Sequence, residues 1–148
     1  METPRTINGG IAVDDRGSIR FINDFNFATA GIKRFYHVEN HKQGFIRAWH
    51  GHLKESKYVY VAKGSAIVAA VKMPEENEQA ITAYVVKVVL SDKSPKIMYI
   101  PAGYANGWMN LEDDTIIQFF STSTLEESKG DDIRFPYDRW NIWAEDFR

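Results

Sequence analysis

Short runs of alternating apolar and polar residues constrain the fold of this chain more than any other feature. The clearest runs cover residues 57–63, 65–73, 80–90, 96–100 and 115–120. They are rich in β-branched and aromatic residues and are separated by turn-forming clusters such as KGS and PEENEQ, so we predict that they are β-strands. Four further strands are predicted in GGIAVDD and SIRFIND, on either side of the turn residues DDRG, and in IKRFYHVE and GFIRAWHGH. So many strands in 148 residues predict an antiparallel sandwich or barrel.

Length and composition narrow the class of protein. The 148 residues, 44% of them hydrophobic, fit one domain spanning residues 1–148. The net charge of -2 and the scattered basic residues argue against a nucleic-acid partner. The chain has no cysteine, so disulfides and thiolate chemistry are excluded. We see no signal-peptide pattern and no apolar run near the roughly 20 residues that span a bilayer, so we expect a cytoplasmic protein with no membrane contact. The tail from Thr124 to Arg148 loses the alternation, and we expect a short helix or an irregular segment there.

Two histidines lie one residue apart in RAWHGH. On a strand His50 and His52 point to the same face, whereas Arg47 points to the opposite face unless a β-bulge intervenes. The spacing alone leaves two interpretations open: a solvent-facing pair on a sheet, or part of a site.

The surrounding spacing resembles the two motifs of the cupin barrels. The first motif, His-x-His followed by Glu and Gly, is matched by His50, His52, Lys57 and Gly64; the second, Pro-x-Gly-x-x-His-x-x-x-Asn, is matched by Pro101, Gly103, Asn106 and Asn110. Lys57 therefore stands where metal-binding cupins have a glutamate, and Asn106 stands where they have a third histidine. An ammonium group repels a divalent cation, and two imidazoles alone bind zinc, iron or manganese poorly. We expect a double-stranded β-helix, also called a jelly roll, with no metal and no cofactor.

Within the cupins the chain is similar to two metal-free families of sugar-nucleotide enzymes. The first is the dTDP-4-dehydrorhamnose 3,5-epimerase family, and the resemblance lies in DDRG, in Arg47 three residues before His50, in Lys57 seven residues before Gly64, and in IPAGYANGW. The second is the dTDP-4-keto-6-deoxyglucose 3,4-ketoisomerase family, which shares the His-x-His pair and a tyrosine near the position of Tyr36 in KRFYHV. The resemblance implies an epimerase or isomerase in deoxysugar or surface-polysaccharide synthesis. Such an enzyme would remove a proton beside the ketone of a nucleotide-linked 4-keto-6-deoxyhexose. The resemblance also implies a homodimer.

The chemistry implied by the resemblance assigns a role to each polar residue. A neutral imidazole suits the base, which we expect to be His50, and an ammonium suits stabilisation of the enolate oxygen, which we expect of Lys57. His52 would carry a second proton, and the acid would be supplied by Tyr36, which we expect to be catalytic, or by Tyr99 or Tyr104. Substrate contacts are expected from Arg47 on the diphosphate, from Arg16 of a neighbouring subunit, and from Asn106, Tyr104 and Phe120.

Two departures from the epimerase pattern keep other functions open. The family's tyrosine acid falls in QFFSTST, where this chain has Phe119 and Phe120, and the aspartate that orients the base has no clear match except Asp138 or Asp146. A 3,4-ketoisomerase and a non-catalytic sugar-binding cupin are therefore alternatives, and a metal-dependent cupin is a third.

Overall fold

The computed structural model describes residues 2–75 and 84–148. Its strands are β1 (Arg5–Asn8), β2 (Gly10–Asp14), β3 (Gly17–Phe21), β4 (Arg34–Glu39), β5 (Ile46–Gly51), β6 (Lys57–Lys63), β7 (Ser65–Lys72), β8 (Val85–Ser91), β9 (Lys96–Ile100), β10 (Tyr104–Asn110), β11 (Ile116–Ser121) and β12 (Ile133–Arg134). Its helices are α1 (Phe27–Ala30) and α2 (Leu125–Lys129). Both helices are about one turn long, and within the described residues no helix could span a membrane.

Ten of these strands form two facing five-stranded antiparallel sheets. Sheet I has the strand order β1-β9-β6-β11-β4, and sheet II has the order β12-β5-β10-β7-β8. Strands β2 and β3 form a separate two-stranded hairpin. The all-β double-stranded β-helix predicted from the sequence is confirmed.

The main core lies between the two sheets, because each strand turns every second side chain inward. In β6 the inward residues Val59 and Val61 are 0% and 1% exposed, and they pack with Val68, Met98 and Ile117. The turn between β6 and β7 has room only for glycine: Gly64 has φ +83°, and a Cβ there would lie 2.3 Å from Thr115 Oγ1.

A second core forms on the outer face of sheet II beneath the C-terminal tail. Trp49 of β5 packs against Trp143 and Trp140, with ring centroids 5.2 and 5.5 Å apart. Helix α2 begins the tail with a capping box between Thr124 and Glu127. The sequence left a short helix and an irregular segment as alternatives for this tail, and the structure contains both: α2 is followed by a largely irregular stretch that closes over sheet II.

Several local features differ from the sequence prediction or lie beyond it, among them the short strands β1 and β12. Strand β10 was not predicted, because it is buried on both faces and shows no alternation. Helix α1 was also not predicted, although Asn26 caps its N-terminus and Gly31 ends it in a left-handed conformation. The strand predicted over 80–90 is observed from Val85 onward. Residues 80–83, and residues 76–79 of the predicted PEENEQ turn, lie outside the described residues.

Candidate active site

Two adjoining cavities open between the sheets, and they share the side chains of Tyr36, His50 and Lys57. The α2-side cavity, about 250 Å³, is lined by Arg34, Tyr36, His50, His52, Lys57, Leu125, Ser128, Lys129, Asp132 and Arg134. The Trp108-side cavity, about 180 Å³, is lined by Tyr36, Val38, Arg47, His50, Lys57, Asn106, Trp108 and Phe119. The three shared side chains therefore mark the centre of the site.

A bulge in β5 brings Arg47 and His50 to the same cavity. In the β10–β5 ladder, Asn106 is opposite His50 and Gly107 is opposite Ala48, so Trp49 is the extra residue. The bulge cancels the parity difference that a regular strand would impose. Asn106 Nδ2 donates to the His50 carbonyl oxygen at 3.0 Å, which holds the strand at this point. Arg47 lines the Trp108-side cavity, and its Nε donates to Asn40 Oδ1 at 2.6 Å.

Lys57 lies inside the barrel and bonds to Tyr36. Its residue exposure is 7%, and its Nζ donates to the Tyr36 hydroxyl oxygen at 3.0 Å. Tyr36 is the cross-strand partner of Phe119, and their rings stack with centroids 5.2 Å apart. Lys57 Nζ also lies 5.5 Å from the centroid of the Phe119 ring.

A buried carboxylate, Glu55, contacts three cationic or ionisable side chains. Its Oε1 lies 3.2 Å from Arg34, and its Oε2 lies 3.3 Å from His52 Nε2 and 3.5 Å from Lys57 Nζ. The Glu55 side chain is 0% exposed. Burial raises the pKa of Glu55, but Lys57, His52, Ser128 and Arg34 outweigh it and leave the pKa below its usual value. Glu55 is thus a carboxylate that balances the positive charge of the site.

The loop that carries Glu55 is fixed by a second carboxylate. Asp131 accepts hydrogen bonds from the backbone amides of Leu53, Lys54 and Glu55 at 2.8, 2.9 and 3.0 Å. The Asp131 carbonyl oxygen contacts His52 Nδ1. Burial raises the pKa of Asp131, but the three amides and His52 together lower it by more, so the net shift is downward.

The surroundings of His50 favour its neutral form. Burial lowers the pKa of His50, and the charges of Arg134 and Lys57 lower it further, whereas Asp132 raises it. A neutral imidazole has a lone pair that can take a proton. The geometry and charge therefore suit His50 to accept a proton near neutral pH.

Four cationic side chains line the α2-side cavity: Arg34, Lys57, Lys129 and Arg134. They favour an anionic ligand over a metal cation. Within residues 2–75 and 84–148, no group of three His, Cys, Asp or Glu side chains is placed to hold a metal ion.

Three residues expected to touch substrate lie outside both cavities. Tyr104 is 3% exposed and packs in the core between the sheets. Phe120 lies on the outer face of sheet I against Phe25, because the inward position of β11 belongs to Phe119. Arg16 lies on the β2–β3 hairpin with its guanidinium 2.5 Å from Asp14 Oδ2. None of these positions agrees with a substrate contact inside the same chain.

The family model for dTDP-4-dehydrorhamnose 3,5-epimerase matches residues 5–144. The chain belongs to this family. A search of curated proteins by sequence finds no significant match. The fold is shared with solved epimerase structures at low identity, as three examples illustrate.

The dTDP-4-dehydrorhamnose 3,5-epimerase of Sulfolobus tokodaii is 22% identical, with a TM-score of 0.75 over 94% of this chain and 81% of that chain. A 3'-monoepimerase of Streptomyces bikiniensis in complex with dTDP-quinovose is 16% identical, with a TM-score of 0.70 over 88% of this chain and 68% of that chain. A third, the Bacillus anthracis enzyme with TDP and PPi bound, is 19% identical, with a TM-score of 0.71 over 93% and 79% of the two chains.

Phe119 and Phe120 stand in the segment where the resemblance led us to expect a tyrosine acid. Tyr36, one strand away on β4, stacks on Phe119 and lines both cavities. A phenol hydroxyl is therefore present in the cavity, carried by β4 and not by β11.

Sequence reasoning missed several polar residues of the site, among them Glu55, Asp132 and Arg34. Glu55 lies three residues after His52, and a charged residue between the two histidines and Lys57 was an available signal. Asp132 and Arg34 had no such signal in the sequence. Asp132 follows an irregular segment, and only the pairing of β12 with β5 brings it to the cavity that contains His50. The aspartates considered from the sequence lie elsewhere: Asp146 pairs with Arg148, and Asp138 does not line either cavity.

Proposed function

We propose that the enzyme removes a proton beside the ketone of a dTDP-linked 4-keto-6-deoxyhexose and returns a proton to the opposite face of that carbon. One observation carries the proposal: His50 comes from sheet II, whereas Tyr36 and Lys57 come from sheet I, and all three line one space. A sugar ring between the sheets has an imidazole on one face and a phenol on the other. Epimerisation needs a base and an acid in this opposed arrangement.

His50 is the base and Lys57 stabilises the enolate oxygen in this proposal. The lowered pKa of His50 keeps the imidazole neutral, and the buried Lys57 ammonium is a preorganised donor for the negative oxygen. Tyr36 is the acid. Its oxygen accepts a hydrogen bond from Lys57, so its own O–H proton is free to point toward substrate.

The nucleotide part of the substrate is held by arginine and lysine side chains. Arg47 faces one cavity, and Arg34, Lys129 and Arg134 face the other. A guanidinium can bind a diphosphate oxygen pair in a bidentate manner. The bound dTDP-quinovose, and the bound TDP and PPi, of the two neighbours named above support a dTDP-sugar as the ligand class.

A 3,4-ketoisomerase is the second candidate function. The observation that favours it is that His50 and His52 both line the α2-side cavity, so two imidazoles are available to move protons between neighbouring oxygens. A non-catalytic sugar-binding cupin is less well supported, because the cavity contains a base, a cation and a phenol together.

Incubation with dTDP-4-keto-6-deoxyglucose in heavy water tests these functions. Deuterium at carbon 3, carbon 5 or both, with the carbonyl still at carbon 4, supports epimerisation. A product with a ketone at carbon 3 supports the ketoisomerase. Binding of dTDP with no exchange at any carbon contradicts catalysis on this substrate and supports the binding protein.

We also propose that the protein is a cytoplasmic homodimer. Among residues 2–75 and 84–148 no third strand joins the β2–β3 hairpin, and the hairpin exposes Val13 (75%), Ile19 (63%) and Phe21 (37%). Two-stranded hairpins are marginally stable alone, so a second copy is a suitable cover for these apolar side chains. Arg16 at the tip of the hairpin is then in a position to approach the site of the partner subunit.

A further inference from the structure

The proposed mechanism assigns no proton-transfer role to the buried ionisable pair formed by Glu55 and His52. His52 is 4% exposed and Glu55 is 2% exposed. The facing atoms are His52 Nε2 and Glu55 Oε2, 3.3 Å apart, and neither makes a regular hydrogen bond among the described residues. Buried polar atoms without partners are rare and indicate a special role.

The hydrogen bond of the other ring nitrogen, Nδ1, indicates whether a proton lies between His52 Nε2 and Glu55 Oε2. Nδ1 contacts the carbonyl oxygen of Asp131, and because a carbonyl oxygen only accepts, Nδ1 carries a hydrogen. In a neutral imidazole Nε2 would then have only a lone pair. A lone pair facing a buried carboxylate oxygen at 3.3 Å is unfavourable, so the pair needs one additional proton.

The neighbouring charges decide which partner carries that proton. Arg34 and Lys57 both lie within 3.5 Å of the Glu55 carboxylate, which favours its ionised form. The lowered pKa of Glu55 agrees with this. The other ionisable groups nearby are His50 of β5, the Asp131 carboxylate, which is occupied by three backbone amides, and Asp132 and Arg134 at the cavity wall. His52 is therefore the partner that carries the proton.

An unbroken series of contacts joins this pair to the acid. His52 Nε2 lies 3.3 Å from Glu55 Oε2, which lies 3.5 Å from Lys57 Nζ, which lies 3.0 Å from the Tyr36 hydroxyl oxygen. We propose that Glu55 and His52 store one proton and pass it through Lys57 to Tyr36 after Tyr36 has protonated the substrate.

The transfer balances at each atom. Tyr36 gives its O–H proton to the substrate carbon, Lys57 gives an N–H proton to the phenolate, and Glu55 passes to Lys57 the proton that it receives from His52 Nε2. His52 ends neutral, and Glu55, Lys57 and Tyr36 end in their starting forms. After product leaves, His50 releases the abstracted proton to water and His52 takes one up. Glu55 is a positioning residue that acts through Lys57 and Tyr36, and the use of the stored proton rests on the proposed function.

Nitrogen-15 NMR of the histidines in the unliganded full chain tests the stored proton without any substrate. We expect both His52 ring nitrogens to be protonated at pH 7.5, and only Nδ1 to be protonated in Glu55→Gln, whose amide can donate to Nε2. Glu39→Gln, on the outer face of β4, is the matched control and should leave His52 unchanged. An unprotonated Nε2 in the wild type would overturn the proposal.

Rapid kinetics tests the delivery of that proton to Tyr36. The first turnover uses a proton already on Tyr36, so in Glu55→Gln we expect the single-turnover rate to change by less than about threefold while kcat falls by at least about tenfold. A purely structural role would slow both rates equally, and that result overturns the relay. His52→Gln should behave like Glu55→Gln, and the double variant should show no further loss. If the wild type turns over no substrate, the proposed function fails, and the NMR result for the proton still stands.

Discussion

Lys57 lies in the barrel because β6 turns residues 57, 59 and 61 inward, and its charge is tolerated there because Glu55 balances it. The sequence motif indicated that this lysine would project into the barrel, but it did not indicate its counterion. Breaking a buried charge pair by removing one partner commonly costs about 3–5 kcal/mol. The lysine and its glutamate therefore act as a unit.

His50→Asn should abolish proton abstraction. We expect kcat to fall by at least about a hundredfold, because a positioned general base contributes on that order. Deuterium wash-in from heavy water measures the step directly. His37→Asn on the outer face of β4 is the control and should keep activity. Full wash-in by His50→Asn would show that another group is the base.

The pH dependence of kcat/KM should reflect the lowered pKa of His50. The neutral imidazole is the active form, so activity is present above the pKa and is lost as the pH falls through it. Because burial and the nearby cations lower this pKa, the midpoint of the acid limb should lie below 6.5. A midpoint above 6.5 in a pH–rate profile would contradict this assignment.

Tyr36→Phe should remove the acid while keeping the ring that stacks on Phe119. We expect a loss of at least about a hundredfold in kcat with little change in unfolding midpoint. Adding Phe119→Tyr to Tyr36→Phe returns a hydroxyl from the neighbouring strand, and we expect it to recover about tenfold or more. Failure of the double variant to exceed Tyr36→Phe would show that the two positions are not equivalent.

At the scale of the structural elements, the β5 bulge and the 52–56 loop position the residues that we propose to be catalytic. The bulge allows Arg47 and His50 to share a cavity, and the sequence analysis could only name a bulge as a possibility, because strand parity is a local property and a bulge depends on the partner strand. The loop is fixed by Asp131, 76 positions or more along the chain. Sequence spacing carried no sign of such a long-range contact.

Asp131→Asn should loosen that loop. The folded pKa of Asp131 is below its ordinary 3.8, so its ionised form stabilises the fold above that pH, and this stabilisation is lost as the pH falls through the lower folded pKa. At pH 7 we expect Asp131→Asn to lower the free energy of unfolding by about 1–3 kcal/mol. Urea titrations at several pH values should show the gap to wild type shrinking below pH 3.8. A constant gap would contradict an ionised Asp131.

At the scale of the whole molecule, the sequence predicted the sandwich and most of its strands, because alternation and turn residues are local signals. It did not predict β1, β10 or β12, and of these β10 is buried on both sides. The motif skeleton pointed to His50 and Lys57, which line both cavities. Phe120 lies on the face of β11 opposite to Phe119, since a one-residue difference in parity reverses the direction of a side chain. Tyr104 points inward but packs in the core rather than at a cavity.

Substitutions in the β2–β3 hairpin test the proposed dimer. Val13→Asp together with Ile19→Asp should convert a dimer into a monomer, because charges would replace two exposed apolar side chains at the proposed interface. Light scattering after gel filtration measures the mass. Ser94→Asp, at an exposed turn elsewhere, should leave the mass unchanged. A wild-type monomer at micromolar concentration would contradict the proposed assembly.

Trp49 and His50 are neighbours on one strand, the first under the C-terminal tail and the second in the cavity. A purification tag or reporter domain fused after Arg148 is attached to the tail that packs on Trp49, and it would therefore be expected to disturb β5, the strand that also carries His50. If a C-terminally tagged protein is inactive, an untagged or N-terminally tagged protein should be assayed before the tested sugar nucleotide is rejected as a substrate.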